Sequence, residues 1–159
     1  MDTSKVSTFL DLTEMYFNKD RHYVPLFEGF CKQNQVDNKE ITASISGCPV
    51  SLKLATTPDS ISKGFMGKPE PKDNNGMMFV HPNDEVLNYW MKDVNYPLDI
   101  LFFDSNMKLV KHVTMDACGD LDDYDLPKYS SDKQARFAVE LRGGWCKDNN
   151  ISNDSRLKI

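Results

Sequence analysis

An alternation of apolar and polar residues begins at Ile41 and constrains the fold of this chain more than any other feature. In "ITASISGCPVSLKLA", Ile41, Ala43 and Ile45 fall on one face of an extended chain, and a second alternating run follows Gly47. Successive side chains of a strand point to opposite faces of a sheet, so this period of two predicts a β-hairpin. Five further segments are rich in aromatic and branched residues and are predicted to be strands: "MMFVH", "EVLNYWMK", "LDILFFD", "LVKHVTM" and "ARFAVEL".

A short helix is predicted between the hairpin and the next strand. Thr57 can cap its N-terminus, Pro58 suits its first turn and Gly64 can end it. A long polar loop, 116–134, precedes the last strong strand. The tail after that strand is predicted to be a glycine turn, a short helix and a terminal extended piece.

Residues 1–38 have a helical pattern instead. An apolar stripe at helical spacing indicates a first helix (Val6, Phe9, Leu10, Phe17), and Pro25 can open a second one. The chain is therefore predicted to divide into an N-terminal helical extension, 1–38, and a β domain, 39–159. These helices either pack against the β domain or form a docking surface for a partner, because an apolar helix face must be buried somewhere.

Strands outnumber helices in the β domain, and short turns join several of them. This pattern favours an antiparallel barrel or sandwich over a parallel sheet with crossover helices. The predicted fold is therefore mainly β, a compact antiparallel barrel-like sandwich with a short helix between strands and an N-terminal helical extension.

Charge and composition limit the classes of partner. The formal charge is −5 and the lysines are scattered among carboxylates, whereas nucleic-acid binding needs a concentrated basic patch. Nucleic acid is therefore not a predicted partner. No run of about 18 apolar residues is present to span a bilayer, and the N-terminus has acids where a signal peptide needs basic residues. We predict no membrane association and a cytoplasmic location.

Five motifs, in chain order, resemble one known family: "ATTPDSISKGFMG", "GMMFV", "YWMKDVNYPLDILFFD", "LVKHVTM" and "PKYSSDKQARFAVELRGGW". Together they resemble the domain-of-unknown-function family 192 (DUF 192). The resemblance covers roughly Ile41 to Ile159 and excludes the helical N-terminus. It implies a compact, mainly β, barrel-like sandwich, and it implies an architecture without assigning a reaction or a ligand.

The run "NYWMKDVNYPLDILFFD" supplies the first candidate site residues. Trp90 and Met91 point to opposite faces of a strand, so one is expected in the core and the other on an outer surface. Lys92 and Asp93 then form either a solvated turn with a weak ion pair or the polar mouth of a cleft. Asp99 lies inside an otherwise apolar strand and would need a partner if buried.

Arg136 and Tyr129, which border the last strand, are the candidate partners of Asp99. Arg136, Ala138 and Glu140 share one face of that strand, where they could form a structural network or a recognition site for a small anion or carboxylate. The predicted ligand-binding site consists of seven residues: Met66, Trp90, Lys92, Asp93, Asp99, Tyr129 and Arg136.

No cofactor and no metal site is predicted. The acidic segment "DACGDLDDYDLPKY" lacks the spacing of an EF-hand, and the four cysteines and three histidines show no zinc spacing. The cysteines are predicted to be reduced thiols. Asp93, Asp99 and Glu140 are the candidate carboxylates for acid and base catalysis, but the sequence does not give their separation.

Three functions follow from these patterns. The first is a binding module for a small polar molecule or a peptide, and the second is a hydrolase that uses carboxylates in the same cleft. The third is a structural or assembly protein that docks a protein partner through its N-terminal helices. The sequence assigns no oligomeric state.

Overall fold

A computed structural model describes residues 36–159 of the protein, and this part forms one seven-stranded sheet with two short helices. The strands are β1 (Glu40–Ile45), β2 (Cys48–Ala55), β3 (Asn75–Tyr89), β4 (Leu98–Phe103), β5 (Leu109–Met115), β6 (Tyr129–Arg142) and β7 (Leu157–Lys158). The helices are α1 (Pro58–Lys63) and α2 (Trp145–Asp148). The predicted helices of the N-terminal extension lie outside the described residues.

The sheet is a half-barrel with the strand order β5-β4-β6-β3-β2-β1-β7. The prediction of a mainly β, barrel-like fold is confirmed. All strand pairs are antiparallel except β2 with β3, which run parallel. Two adjacent parallel strands need a crossover connection, and the segment 56–74, which contains α1, provides it here.

The local predictions around β1, β2 and α1 are confirmed in detail. Ser46 and Gly47 join the two strands with φ values of 51° and 82°, the conformation of a tight hairpin turn. Thr57 caps α1 through the backbone N–H of Ser60, Pro58 begins the helix, and Gly64 ends it with φ of 44°. The predicted tail is also present as a glycine turn, α2 and β7.

Strand β3 differs from the prediction because it joins two predicted strands into one. It runs without interruption through Pro82, and its pairing with β6 shifts in register between Val80 and Glu85. A bulge tolerates a proline, because the residue there gives up its ladder hydrogen bond. Strand β6 begins at Tyr129, earlier than predicted, because its first half pairs with the end of β3.

The sheet is buried on both faces, so two apolar clusters lie on opposite sides of it. One contains Phe137, Val139 and Leu141 of β6 together with Trp145 of α2. The other contains Ala138 of β6 and Phe79 of β3. Alternate residues of the central strands therefore serve different clusters, as the predicted period of two requires.

Cys48, Cys118 and Cys146 are free thiols, which confirms the prediction for the cysteines in the described part of the chain. Cys118 and Cys146 are buried. Within residues 36–159, neither helix has the length and apolar character needed to cross a membrane.

Gly76 of β3 is required by a close approach of two backbones. A Cβ atom placed on it would lie 2.2 Å from the backbone oxygen of Glu140 and 2.8 Å from a methyl carbon of Leu141. Because a backbone oxygen in a paired strand cannot move aside, we expect Gly76→Ala to lower the free energy of unfolding by about 3 kcal/mol. Urea denaturation measures this change.

Gly119→Ala is the matched control for Gly76→Ala. Nothing lies within 4 Å of a Cβ at Gly119, whose only constraint is a φ of 58°. We expect this variant to lose about 1 kcal/mol from backbone strain alone. Equal losses in the two variants would contradict the assigned contact.

Candidate functional site

A cavity of about 610 Å³ lies on the face of the sheet that carries Phe79 and Ala138. The crossover segment forms one wall of it, the sheet forms another, and the segment that follows β3 forms its mouth. The lining residues come from five parts of the chain: Asp59, Ile61, Ser62, Lys63, Gly64, Phe65 and Met66 from the crossover; Phe79, His81, Asn88 and Tyr89 from β3; Trp90, Met91, Lys92 and Val94 after it; Leu98 from β4; and Glu140 from β6.

The crossover is held in place by its own caps. The carboxylate of Asp37 accepts hydrogen bonds from the backbone N–H of Thr56 at 2.7 Å and from the hydroxyl of Ser60 at 2.6 Å. After the helix, the Lys68 ammonium donates to the Gly64 carbonyl at 2.6 Å. These bonds place Gly64 directly over the sheet, where a Cβ would lie 3.4 Å from Phe79.

Glu140 is the only carboxylate from the sheet that lines the cavity. It lies opposite Met77 of β3 and Ile100 of β4, and 4% of its surface is exposed. Within residues 36–159, no group donates a hydrogen bond to its side chain and no cation forms an ion pair with it. Burial raises the pKa of Glu140 to about 8, and the positive charge of Lys68 opposes part of this rise.

His81 and Tyr89 form a second polar feature of the cavity wall. The Nε2 atom of His81 and the Tyr89 hydroxyl share a hydrogen bond of 2.6 Å, and His81 Nδ1 lies 3.9 Å from Glu85. Burial lowers the pKa of His81, with Glu85 opposing the shift, and burial raises the pKa of Tyr89. A neutral imidazole and a protonated phenol result, so the phenol can donate to Nε2.

Trp90 and two lysines form the mouth. Lys92 and Lys128 place their Nζ atoms 5.5 Å and 5.7 Å from the centre of the indole ring. Lys92 also donates to Asp123 at 2.5 Å, and this hydrogen bond raises the pKa of Lys92. Trp90 is 36% exposed, whereas Met91 is 2% exposed, so the prediction that these neighbours point to opposite sides is confirmed.

The structure brings three of the seven predicted site residues together. Met66, Trp90 and Lys92 line the cavity. Asp93 is exposed in the turn beside Lys92, with φ of 55°. The other three predicted residues, Asp99, Tyr129 and Arg136, do not line this cavity.

Asp99 lies on the opposite face of the sheet from Glu140, and its carboxylate serves α2. It accepts hydrogen bonds from the backbone N–H groups of Gly144 and Cys146 at 3.0 Å and 2.8 Å. The hydroxyl of Thr114 donates a third bond at 2.7 Å. Asp99 therefore fixes the N-terminus of α2 onto β4, and the structure does not pair it with Arg136 or Tyr129.

Arg136 and Tyr129 have other contacts. The Nε atom of Arg136 donates to Asp84 at 2.8 Å. The Tyr129 hydroxyl accepts from the backbone N–H of Asp116 at 3.1 Å and so holds the start of the acidic loop. Both residues hold surface segments to β6, and neither contacts Glu140 through a hydrogen bond.

Sequence reasoning left His81, Tyr89 and Glu140 out of the predicted site. Glu140 was identified as a candidate carboxylate on the face of Ala138, and this face is confirmed. An acidic residue inside the apolar run "FAVEL" was therefore the sequence signal that could have placed Glu140 in the predicted site. His81 gave no such signal, because its proximity to Tyr89 depends on the bend of β3.

Comparisons with known proteins agree on the fold. The model of the DUF192 family, described as "Uncharacterized ACR", matches residues 41–159. A candidate transcription regulator from Sinorhizobium meliloti 1021 aligns with a TM-score of 0.68 at 21% identity, covering 77% of this chain and 95% of that one. A protein of unknown function from Novosphingobium aromaticivorans DSM 12444 aligns with a TM-score of 0.65 at 21% identity, covering 76% and 85%. No curated protein matches.

Replacing Asp99 tests its structural role. In Asp99→Asn an amide NH₂ replaces one acceptor oxygen and faces the backbone N–H of Gly144 or Cys146, which can only donate, so we expect a loss of roughly 2–4 kcal/mol in the free energy of unfolding. The control is Asp93→Asn, an exposed position with positive φ that suits asparagine, where we expect a change within about 0.5 kcal/mol. Urea unfolding of both variants measures the difference, and equal stabilities would contradict the role given to Asp99.

The raised pKa of Glu140 predicts a pH-dependent stability. The folded protein keeps a proton on this carboxyl up to about pH 8, whereas the unfolded chain releases it near the ordinary value of 4.5. The free energy of unfolding should therefore fall as the pH rises through this window, by up to roughly 1.4 kcal/mol per pH unit.

Glu140→Gln, which stays neutral, isolates this contribution. Its stability relative to the natural protein should rise steadily through the same window and level off above it. Urea unfolding at several pH values measures the difference, and Glu70→Gln, on the exposed loop after α1, is the control. Parallel pH profiles for Glu140→Gln and the natural protein would contradict the prediction.

Proposed function

The chain belongs to the DUF192 family, and we propose that this member is a binding protein for a small ligand that carries a polar group on a largely apolar body. The observation behind the proposal is the side chain of Glu140, which is only 4% exposed, lines the cavity and has no hydrogen-bond partner among the described residues. Its oxygens open into the cavity, since no side-chain polar atom of residues 36–159 is both sealed from solvent and without a partner. A buried carboxyl normally has a partner, because leaving it without one costs free energy. A ligand would supply this partner.

The cavity has the size and the lining of a small-molecule site. Its volume of about 610 Å³ falls within the range of roughly 300–1,000 Å³ that ligand pockets occupy. Its walls are largely aromatic and apolar, with Phe65, Phe79, Trp90 and Met91 among them. Such walls favour the apolar body of a ligand, and the few polar groups fix its orientation.

The distribution of carboxylates favours binding over hydrolysis. A hydrolase that uses two carboxylates needs both of them beside the substrate. Of the three predicted candidates, Glu140 lines the cavity, Asp93 lies in an exposed turn and Asp99 holds α2 from the other face. The cavity thus holds one of the three predicted carboxylates. Its other carboxylate, Asp59, is an exposed residue of α1. Docking through the N-terminal helices stays a prediction, because those residues lie outside the described range.

A thermal-shift screen tests the proposal. The purified protein is heated with sugars, nucleotides, organic acids, amino acids and amines, each with a buffer control. A ligand at about a hundred times its dissociation constant adds roughly 2.7 kcal/mol to the stability of the folded state, which raises Tm by several degrees. A screen in which no class raises Tm would count against a small-molecule site.

Trp90→Ala locates any ligand that the screen finds. Trp90 lines the cavity mouth, so we expect its removal to weaken binding roughly tenfold, which corresponds to about 1.4 kcal/mol. Tyr124→Ala is the matched control, since this aromatic side chain is fully exposed and does not line the cavity. Isothermal titration measures both affinities. Equal affinity in Trp90→Ala and the natural protein would place the ligand elsewhere.

A further inference from the structure

The charge of the ligand is the next question, and the surroundings of Glu140 bear on it. An ionised carboxylate can only accept hydrogen bonds, and its two oxygens can accept several. Within residues 36–159 none of this capacity is used. Lys68 is the protein cation that acts on Glu140, but its ammonium donates to Gly64 and does not form an ion pair with the carboxylate. No described residue therefore donates a hydrogen bond to the Glu140 carboxylate from inside the cavity.

The rest of the wall also suits a positive charge. Phe79 and Tyr89 line the same cavity, and the faces of aromatic rings carry partial negative charge that attracts cations. The ring of Trp90 at the mouth already has the ammonium groups of Lys92 and Lys128 over it. Met66 and Met91 add soft, polarizable surface. Above about pH 8, where Glu140 is ionised, an anionic head group beside it would face a like charge, so the cavity then disfavours a ligand with a negative head.

The charges at the mouth of the cavity do not favour an anionic ligand over a cationic one. Besides Glu140, the charged lining residues are Asp59, Lys63 and Lys92, and Lys92 is paired with Asp123. Lys128 also lies at the Trp90 ring and Asp93 lies beside Lys92, so three positive and three negative charges surround the mouth. His81 is kept neutral by burial. Glu140 is then the charge that decides which head group the deep end accepts.

We infer that the ligand of this cavity is an amine whose ammonium group enters the cavity and pairs with the Glu140 carboxylate, while its apolar body lies against the aromatic wall. This inference rests on the proposed binding function and adds the chemical class of the ligand. The cation would favour ionisation of a carboxyl that the empty site keeps protonated up to about pH 8, because an opposite charge within contact distance stabilises the carboxylate.

The inference carries a specific pH dependence. An ammonium ion binds the ionised carboxylate, so a protonated Glu140 must first release its proton. The affinity for an amine should therefore fall about tenfold for each pH unit below the pKa of the empty site. The other titratable or charged groups that face Glu140 are Lys68, Tyr89 and Tyr96, together with the cavity residues Asp59, Lys63, His81 and Lys92. A neutral ligand should not show this dependence.

Three compounds of nearly the same shape test the inference: phenethylamine, phenethyl alcohol and phenylacetate. They differ in the charge of the head group and share an apolar body small enough for the cavity. Each is titrated at millimolar concentration into methyl-labelled protein, and the NMR signals of the Met66 and Met91 methyl groups, which line the cavity, report binding. We expect the amine to bind about tenfold more tightly than the alcohol above the Glu140 pKa.

Two variants test whether Glu140 is the carboxylate that pairs with the amine. In Glu140→Gln we expect the amine to lose its tenfold advantage and its pH dependence, while the alcohol binds as before. Glu70→Gln removes an exposed carboxylate that does not line the cavity, and we expect it to keep both. The free variants are compared by their methyl spectra, which show whether each has kept the fold.

The outcomes separate the inference from the proposed function. If the alcohol or phenylacetate binds as tightly as the amine, or if Glu140→Gln keeps the preference for the amine, the inference is wrong and the cavity remains a binding site. If none of the three compounds moves the Met66 or Met91 signals, the result counts against the proposed function itself. A preference for the amine that disappears in Glu140→Gln and persists in Glu70→Gln supports both.

Discussion

The pairing of β6 with β3 on one side and with β4 on the other is the interaction on which the rest of the structure depends. This register sets Glu140 opposite Met77 and Ile100, and the alternation of the strand then sends its neighbours Val139 and Leu141 to the other cluster. A slip of one residue would reverse every side chain of β6. The cavity and the main apolar cluster are thus fixed by the same hydrogen bonds.

Local signals explain why part of the fold was predictable. The hairpin of β1 and β2, the ends of α1 and the glycine turn before α2 all depend on residues close together in the chain. The length of β3 depends instead on β6, some fifty residues later, which pairs with it beyond the bulge at Pro82. The sequence predicts two separate strands there, and long-range pairing overrides that local prediction.

In the candidate site, too, some residues were predictable from nearby sequence and others depended on long-range pairing. Trp90 and Lys92 were identified from one short run, and both line the cavity. Asp99 and Glu140 are each an acid inside an apolar strand, so sequence alone treated them alike. The register of β4 against β6 places them on opposite faces, where Asp99 binds backbone N–H groups of α2 and Glu140 faces a cavity. Only the folded sheet distinguishes a carboxylate that holds a helix from one that lines a cavity.

The parallel pairing of β2 with β3 has a consequence for how such a cavity could diversify. It requires a crossover, and that single continuous segment supplies one wall of the cavity, from Asp59 to Met66. The floor belongs to the sheet, whose stability comes from long-range strand pairing. Grafting a different crossover between the same two strands would reshape what the cavity accepts while leaving Glu140 in place. The shape of one cavity wall and the pairing of the sheet therefore depend on separable stretches of the chain, which makes this segment a natural target for redesign.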